Sequence, residues 1–378
     1  MFLTACFSTP VILQSLTIKN FRNYEEELFT FHEGFNIIHG DNAQGKTNLL
    51  EAVHLLLTFR PFKQVKIEEL IGFGHLQGRI KGEVKTHSGL NEVYILLTKS
   101  GKAVKLNGKL IYSLAKALGR FNVVTFLPAD IDLVKGPPQN RRKYLDSLVC
   151  TFDPQHLLDL KSYYRALAQR NALLTKRDKF SRETLEVWDS KVAELGAKVI
   201  ERRIRFIKKL QPEVKAIYRS LSGINSELVI KYGSTFRFLR GIEGSLKNEL
   251  SSRIGRDMRL GHTSVGPHRD IIEFRMDGKD SSGFASQGEA KTLALALKSA
   301  EIELTRHMLG RTPILLLDDV ISELDEKRRN FLFELLEGFL GQVFVTATSA
   351  REVHYKGSKK IFHIKAGRAY IEGSRLNV

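Results

Sequence analysis

The sequence predicts a mixed α/β fold in which one compact unit is assembled from the two ends of the chain. Near the start, a strand-like run at 35–38 leads into segment 40–47, which has the spacing G-x-x-x-x-G-K-T and precedes a helical pattern. Near the end, the apolar run 313–317 predicts a buried strand that closes on two carboxylates. Lys46 and Asp318 are 272 positions apart. A unit that contains both must be split in sequence, with inserted lobes between its halves.

The glycine-rich segment predicts a phosphate-binding loop. Gly40 and Gly45 allow conformations closed to other residues, so successive N–H groups can turn inward around phosphate oxygens at a helix start. Lys46 would neutralise the β and γ phosphates, and the Thr47 hydroxyl would ligate Mg²⁺. A glycine-rich turn with a chance lysine is the alternative. The predicted ATP-binding residues of this loop are Gly40, Asp41, Asn42, Ala43, Gln44, Gly45, Lys46 and Thr47.

The two carboxylates after the apolar run predict the catalytic half of the same site. Asp318 would hold Mg²⁺ together with Thr47, and Asp319 would orient and polarise the attacking water. The alternative is an acidic strand end whose charges are merely solvated. Three leucines directly before the pair favour a buried parallel strand that ends at a ligand crevice. Lys46, Asp318 and Asp319 are therefore the predicted catalytic residues.

The segments between these halves predict two inserted parts. Period-2 stretches from 78 to 110, separated by turn pairs such as Asn107-Gly108, predict an antiparallel β lobe. From about 154 to 258 the apolar spacing is helical, and Pro212 is expected to end or kink one helix. We expect residues 1–150 to hold the N-terminal part of the head with the β lobe, 151–260 a helical arm, and 261–378 the C-terminal part of the head.

A third motif, Ser286-Gln287-Gly288, opens a helix shortly before the carboxylate strand. Ser286 and Glu289 have the spacing of a capping box, so helix capping alone would explain them. A capped helix start that presents a hydroxyl, an amide and a glycine N–H is also a good receptor for a γ-phosphate. Both interpretations can hold together.

The charge of the chain favours a nucleic-acid partner. The formal net charge is +17 and the pI is near 9.7, which produces a field that attracts polyanions. Residues 161–215 carry fifteen Lys and Arg against seven Asp and Glu, although solvated helix faces would explain this equally well. Arg141 and Arg142 could clamp DNA phosphates or sense nucleotide across a dimer, and a basic loop without a ligand is an equal alternative. The candidate DNA contacts are Arg141, Arg142, Arg202, Arg203 and Lys209.

Several of these motifs, in this order, resemble the RecF family of SMC-related, ABC-type ATPases over nearly the whole chain. The resemblance lies in residues 16–24, 40–47, 128–146, 266–270, 285–293 and 317–325. It implies an ABC-type ATPase head in which Ser286, Gln287 and Gly288 bind the ATP of a second subunit. It further implies an ATP-dependent homodimer that binds duplex DNA and single-strand gap junctions and, with RecO and RecR, helps to load RecA. No role can be derived for the Gly266–Asp270 motif beyond a turn that precedes a strand.

The chain departs from the ABC transporter pattern at two places. Asp319 stands where a glutamate is usual, and threonines at 346 and 348 stand near the place of a switch histidine. Because aspartate is one methylene shorter than glutamate, we expect slow ATP hydrolysis. We also expect DNA to stimulate it. Arg60 and Gln64 are candidates for the Q-loop.

A transport ATPase subunit is the alternative function, and a phosphotransferase kinase is a third. No apolar run reaches the length of a transmembrane span, so no membrane partner is expected. Two cysteines, Cys6 and Cys150, suit a reducing cytoplasm.

Overall fold

The computed structural model describes residues 9–62, 65–113, 117, 119–175, 181–223, 227–239 and 241–372. Gln64 and Cys6 lie outside these residues. The chain divides into two compact units. The first combines the residues up to Asp130 with those from Leu295 onward, and the second is the continuous stretch Ile131–Ala294. The prediction of an α/β head that is split in sequence is therefore confirmed.

The first unit contains a six-stranded, mainly parallel sheet that both ends of the chain build. Its strand order is β17-β16-β4-β15-β14-β9, so β4 from the start of the chain lies between two strands from its end. Continuous apolar runs explain why these strands are interior, since Ile37 and Leu315 are fully buried. The strands are β4 (Phe35–His39), β9 (Val123–Phe126), β14 (Ile314–Leu317), β15 (Val343–Ala347), β16 (Lys359–Lys365) and β17 (Arg368–Ile371).

The helices of the first unit follow the strands that they connect. They are α1 (Lys46–Thr58), α10 (Val320–Glu323), α11 (Glu326–Glu337) and the part of helix α9 (Gln287–Leu309) from Leu295 onward, with short 3₁₀ turns at Ile67–Leu70 and Ala350–Glu352. Two further short strands, β1 (Thr9–Pro10) and β13 (Arg311–Thr312), form a separate parallel pair. Helix α1 is buried along most of its length, because one side of it packs on the antiparallel sheet described next.

The β lobe is a second, antiparallel sheet with the order β3-β2-β5-β6-β7-β8. Its strands are β2 (Ile12–Phe21), β3 (Tyr24–Thr30), β5 (Gln77–Thr86), β6 (Gly89–Thr98), β7 (Gly101–Leu106) and β8 (Lys109–Leu110). The predicted turn at Asn107-Gly108 has positive φ at both residues, 50° and 76°, as a tight hairpin turn requires. The antiparallel lobe predicted at 78–110 is confirmed.

The second unit is mainly helical and is larger than the arm predicted at 151–260. Helix α3 belongs to it because it packs on α4, α5 and β11, and the stretch up to Ala294 also belongs to it. Its helices are α2 (Asp132–Lys135), α3 (Pro138–Phe152), α4 (Gln155–Thr175), α5 (Arg182–Ser222), α6 (Gly241–Ser252), α7 (Ile254–Leu260), α8 (Ser281–Phe284) and the first part of α9 (Gln287–Leu309). Its small antiparallel sheet has the order β10-β11-β12, with β10 (Leu228–Gly233), β11 (Ile271–Met276) and β12 (Lys279–Asp280).

Pro212 was expected to end or kink a helix, and the first alternative is wrong, because α5 is continuous for 41 residues with Pro212 inside it. Proline removes one backbone N–H and its ring crowds the carbonyl one turn earlier, which together cost about 3 kcal/mol in a helix interior. The buried face of α5 carries large apolar side chains on both sides of the proline, among them Leu210 and Val214. Burial of this apolar face stabilises α5 by more than Pro212 destabilises it locally.

A buried guanidinium joins several elements of the second unit. Arg170 on α4 donates to Asp189 on α5 over 2.5 Å and to Asp257 on α7 over 2.8 Å. It also donates to the Thr263 hydroxyl and to the carbonyl of Leu250, and the side chain is fully buried. Since a buried charge must be paired, this network fixes four helices, α4 to α7, relative to one another. No helix among the described residues is long and apolar enough to cross a membrane.

Candidate nucleotide-binding site

The loop between β4 and α1 has the backbone of a phosphate cradle. Gly40 and Gly45 have φ of 144° and 118°, values that favour glycine. A β-carbon at Gly45 would lie 2.7 Å from the Asn23 side chain, and one at Gly40 would meet the Ile364 carbonyl. Helix α1 starts at Lys46 with no side-chain hydrogen bond at its N-cap. Its first N–H groups are therefore suited to an anion.

Lys46 is folded over this loop and is almost fully buried. Its ammonium donates to the carbonyl of Gly40 over 2.8 Å and to that of Asp41 over 3.0 Å. The positive charge thus lies within the loop, beside the N–H groups that a phosphate would meet. Local sequence alone predicted this arrangement, because all of its residues are contiguous.

The carboxylate strand meets the loop through a direct hydrogen bond. The Thr47 hydroxyl donates to Asp318 over 2.9 Å, across 271 positions of sequence. The Thr346 hydroxyl, at the end of β15, also donates to Asp318 over 2.9 Å. Asp318 is only 8 % exposed, so these contacts hold its carboxylate in one place. The parallel order of β14 between β9 and β15 brings the strand ends together, as expected for a crevice of this type.

Asp319 has an unusual backbone conformation. Its φ of 48° lies in the left-handed region, which is uncommon for a non-glycine residue, and it is the N-cap residue of α10. Its N–H donates to Thr346 over 2.8 Å, and its carbonyl accepts from Ser322. Strained residues of this kind concentrate at functional sites, where the surrounding structure holds them. Thr346 is thus the shared support of both carboxylate residues, a role that no sequence motif indicated.

Three side chains hold the loop in place, and the sequence predicted a role only for Gln44, as an ATP-binding residue, and none for Asn23 and Tyr24. Asn23 donates to the carbonyl of Gln44 over 2.9 Å, and Tyr24 donates to that of Gly45 over 3.0 Å. Burial raises the pKa of Tyr24 above its ordinary value, so the hydroxyl stays protonated and remains a donor. The Gln44 side chain accepts from the N–H of Ala366 over 2.7 Å. The only signal was their position inside or beside recognisable motifs.

The Ser286-Gln287-Gly288 segment lies in the second unit and forms the predicted capping box. The Ser286 N–H donates to the Glu289 carboxylate over 2.7 Å, and the Glu289 N–H donates to the Ser286 hydroxyl over 3.2 Å. Hydrogen bonds from the backbone N–H and the hydroxyl of Ser286 lower the pKa of Glu289, which keeps its carboxylate charged. Ser286 and Gln287 are exposed at the start of α9. The segment is thus a capped helix start that is open to solvent.

Three of the five candidate DNA contacts are corrected by the structure. Arg203 is fully buried and donates to both oxygens of Asp146 over 2.8 Å. Arg202 pairs with Asp153 and Asp159. Arg141 is 3 % exposed and lies 3.8 Å from Asp280. A guanidinium that is buried or neutralised in this way has little to offer a phosphate.

The other two candidates keep an exposed part. Arg142 is half-buried and donates to the carbonyl of Asp270, whereas Lys209 is exposed on α5. In the Gly266–Asp270 motif, Asp270 accepts from Tyr232 over 2.6 Å and from Thr235 over 2.7 Å. This motif therefore anchors the chain between β10 and β11.

Comparisons with known proteins agree with this geometry. The model of the RecF/RecN/SMC N terminal domain matches residues 12–371. The DNA replication and repair protein RecF of Streptococcus suis (strain 05ZYH33) is 38 % identical over 359 residues, covering 94 % of this chain and 98 % of that protein.

Solved structures give the same result for the fold. The recombination mediator protein RecF-ATP of the RecFOR pathway is 35 % identical with a TM-score of 0.90, covering 97 % of this chain and 100 % of the other. The Smc head domain of Pyrococcus furiosus, at 15 % identity and a TM-score of 0.54 with 96 % of each chain covered, shares the fold. Because the family model and its relatives span almost the whole chain, this protein belongs to the RecF family of DNA replication and repair proteins.

Proposed function

We propose that this protein binds ATP and Mg²⁺, dimerises on ATP, hydrolyses it slowly and binds duplex DNA in recombinational repair and replication. The observation that carries the proposal is the hydrogen bond between Thr47 and Asp318. It joins a phosphate-binding loop to a catalytic carboxylate strand from the opposite end of the chain. Membership of the RecF family supports the repair role.

ATP would place its phosphates on the loop 40–47. The N–H groups at the start of α1 and the Lys46 ammonium supply donors and positive charge. A groove of about 840 Å³ lies beside the loop and is lined in part by Arg22, Asn23 and Asn48. It has room for the base and ribose. The RecF-ATP structure of a relative supports this choice of ligand.

The residues present fit Mg²⁺. Thr47 and Asp318 offer a hydroxyl and a carboxylate oxygen 2.9 Å apart, and Mg²⁺ is usually bound by one or two protein oxygens together with phosphates and water. When bound, the ion neutralises charge on the phosphates. Asp319 would orient the attacking water, with its backbone held by Thr346. The short side chain of Asp319 supports slow hydrolysis of ATP.

The exposed start of α9 supports dimerisation on ATP. Ser286, Gln287 and Gly288 would bind the γ-phosphate held by a second copy of the chain, so each active site needs two protomers. We further propose binding to duplex DNA and single-strand gap junctions, and joint action with RecO and RecR in loading RecA, in the cytoplasm. The net charge of +17 supports the DNA partner.

The test is the rate of ATP hydrolysis per protomer, measured against protein concentration with and without a 30-base-pair duplex. We expect this rate to rise with protein concentration, because two protomers complete each site, and to rise again when duplex is added. Lys46→Ala removes the charge from the loop and is the inactive control. A specific rate that is independent of both protein concentration and DNA contradicts the proposal.

A further inference from the structure

The charge of helix α5 changes abruptly along its length. Residues 182–201 carry three Lys and Arg against five Asp and Glu. Residues 202–222 carry seven Lys and Arg against a single carboxylate. Both halves belong to the same helix of the same unit. The positive charge of the arm is therefore concentrated in the second half of α5.

Cations in the first half of α5 have carboxylate partners on the same helix. Lys191 and Lys198 both pair with Glu194 over 2.7 Å, and Arg182 pairs with Glu186. Exposed pairs of this kind neutralise each other at little cost or gain in stability. These neutral pairs therefore add little positive potential that could attract a polyanion.

The exposed cations of the second half differ in this respect. Arg202 and Arg203 are engaged by aspartates, but five cations beyond them are exposed. Within the described part of the chain, these five make no ion pair. We call them, together with Lys231, the basic face. Its members on α5 are Arg205, Lys208, Lys209, Lys215 and Arg219.

These side chains lie on one side of the helix. At about 100° per residue, the five positions fall within roughly 120° of the circumference, and at about 1.5 Å per residue they span ~21 Å of axis. The neighbouring strand β10 adds Lys231, which lines a groove of about 530 Å³ together with Lys208 and Lys215. Two elements thus present six cations on one rigid surface.

We infer that the basic face binds the sugar–phosphate backbone of duplex DNA, an inference that rests on the proposed function. A duplex carries one negative charge per ~1.7 Å of axis, so a ~21 Å stripe faces about a dozen phosphates. Cations placed at fixed intervals along a helix match the regular phosphate array of a duplex better than they match a flexible single strand. Contacts of this type hold the duplex without reading its sequence.

The test is the triple variant Lys208→Gln/Lys209→Gln/Lys215→Gln, titrated with two unrelated 30-base-pair duplexes over a range of salt concentrations. We expect the affinity near 0.1 M salt to fall on the order of tenfold to a hundredfold, equally for both sequences. The log–log salt slope becomes shallower by up to about 2.7, because each phosphate that a lysine neutralises accounts for about 0.9 of the slope. The three side chains are exposed, so the fold and ATP binding stay unchanged.

A matched control removes three positive charges that are already paired. Lys85→Gln/Lys191→Gln/Lys198→Gln changes the net charge by the same amount, and each of these lysines contacts a glutamate. This control keeps the affinity and the slope close to those of the wild type. An equal loss of affinity in the control means that net charge alone acts, which overturns the inference.

The remaining outcomes separate the inference from the function on which it rests. Wild-type protein that fails to bind duplex contradicts the proposed function itself. Wild-type protein that binds, with a triple variant of equal affinity and slope, overturns only the basic face. In that case the basic face would be assigned to an acidic protein partner.

Discussion

Thr346 stands near the place of a switch histidine in the sequence, but only the three-dimensional structure shows which groups it contacts. It is fully buried, donates to Asp318 and accepts from the N–H of Asp319, so one hydroxyl supports both catalytic candidates. Its position is 28 residues from Asp318 in sequence. No motif links the two, because their proximity depends on the pairing of β14 with β15.

The variant Thr346→Val keeps the shape of the side chain and removes the hydroxyl. We expect the free energy of unfolding to fall by about 1–3 kcal/mol, because a buried N–H and a carboxylate lose a partner. ATP hydrolysis falls as well, since the backbone of Asp319 loses its support. Calorimetry and a turnover assay measure the two effects. Thr348→Val, at an exposed threonine, is the control, and equal effects in both variants contradict this role.

Through His268, the stability of the second unit depends on pH. Its Nδ1 accepts from Tyr163 over 2.6 Å and its Nε2 donates to the carbonyl of Thr263 over 3.1 Å, which uses the neutral ring fully. Burial lowers the pKa of His268 to about 4, below the ordinary value of 6.5. Below pH 6.5 the unfolded chain therefore binds a proton at His268, whereas the folded chain binds this proton only near pH 4. The contribution of neutral His268 to the free energy of unfolding is fully present above pH 6.5 and is lost as the pH falls toward 4.

In His268→Gln, the free energy of unfolding should decline less between pH 6.5 and 4 than it does in the wild type. The single tryptophan, Trp188, lies on α5, so its fluorescence in urea reports the unfolding of this unit. His87→Gln, at a histidine on the surface of the β lobe, controls for the loss of a histidine as such. Parallel pH profiles for wild type and His268→Gln would refute the assignment.

At the scale of elements, Arg170 links the helices of the second unit. Truncation in Arg170→Ala leaves Asp189 and Asp257 buried without their partner. We expect a loss of about 3–5 kcal/mol in the free energy of unfolding of this unit. Urea titration followed by Trp188 fluorescence measures it. Arg165→Ala removes an exposed arginine from the same helix and should change stability by no more than about 0.5 kcal/mol. A comparable loss of stability in both variants would dismiss the network as the cause.

The elements also show what sequence can predict and what it cannot. The loop 40–47 and the turn at Asn107-Gly108 were predictable, because their conformations depend on contiguous residues. The ion pairs of Arg202 and Arg203 were not predictable, because their aspartate partners lie 43 to 57 positions away in sequence. The same limit applies to the domain boundary. The position of helix α3 in sequence favours the head, and only its packing on β11 assigns it to the second unit.

At the scale of the whole molecule, the proposed dimer separates the roles of its two site segments. Ser286→Arg should bind ATP as a monomer yet fail to dimerise or hydrolyse it, because the bulky cation blocks the approach to the other subunit's phosphate. Asp319→Asn keeps its shape but cannot polarise water, so ATP-bound dimers should accumulate. Sedimentation with and without ATP measures both. If Asp319→Asn stays monomeric with ATP, its assignment is wrong.

The position of β4 between β16 and β15 has a consequence for synthesis on the ribosome. Strand β4 is made early, but both of its neighbours come from residues 343–365. At about 5–20 residues per second, the intervening ~300 residues take roughly 15–60 s to translate. The inserted unit is contiguous and can fold during that interval. The apolar stretch that includes Ile37 and Ile38 cannot, so the nascent chain exposes it to chaperones and completes the sheet beneath its loop 40–47 only after residues 343–365 have been made.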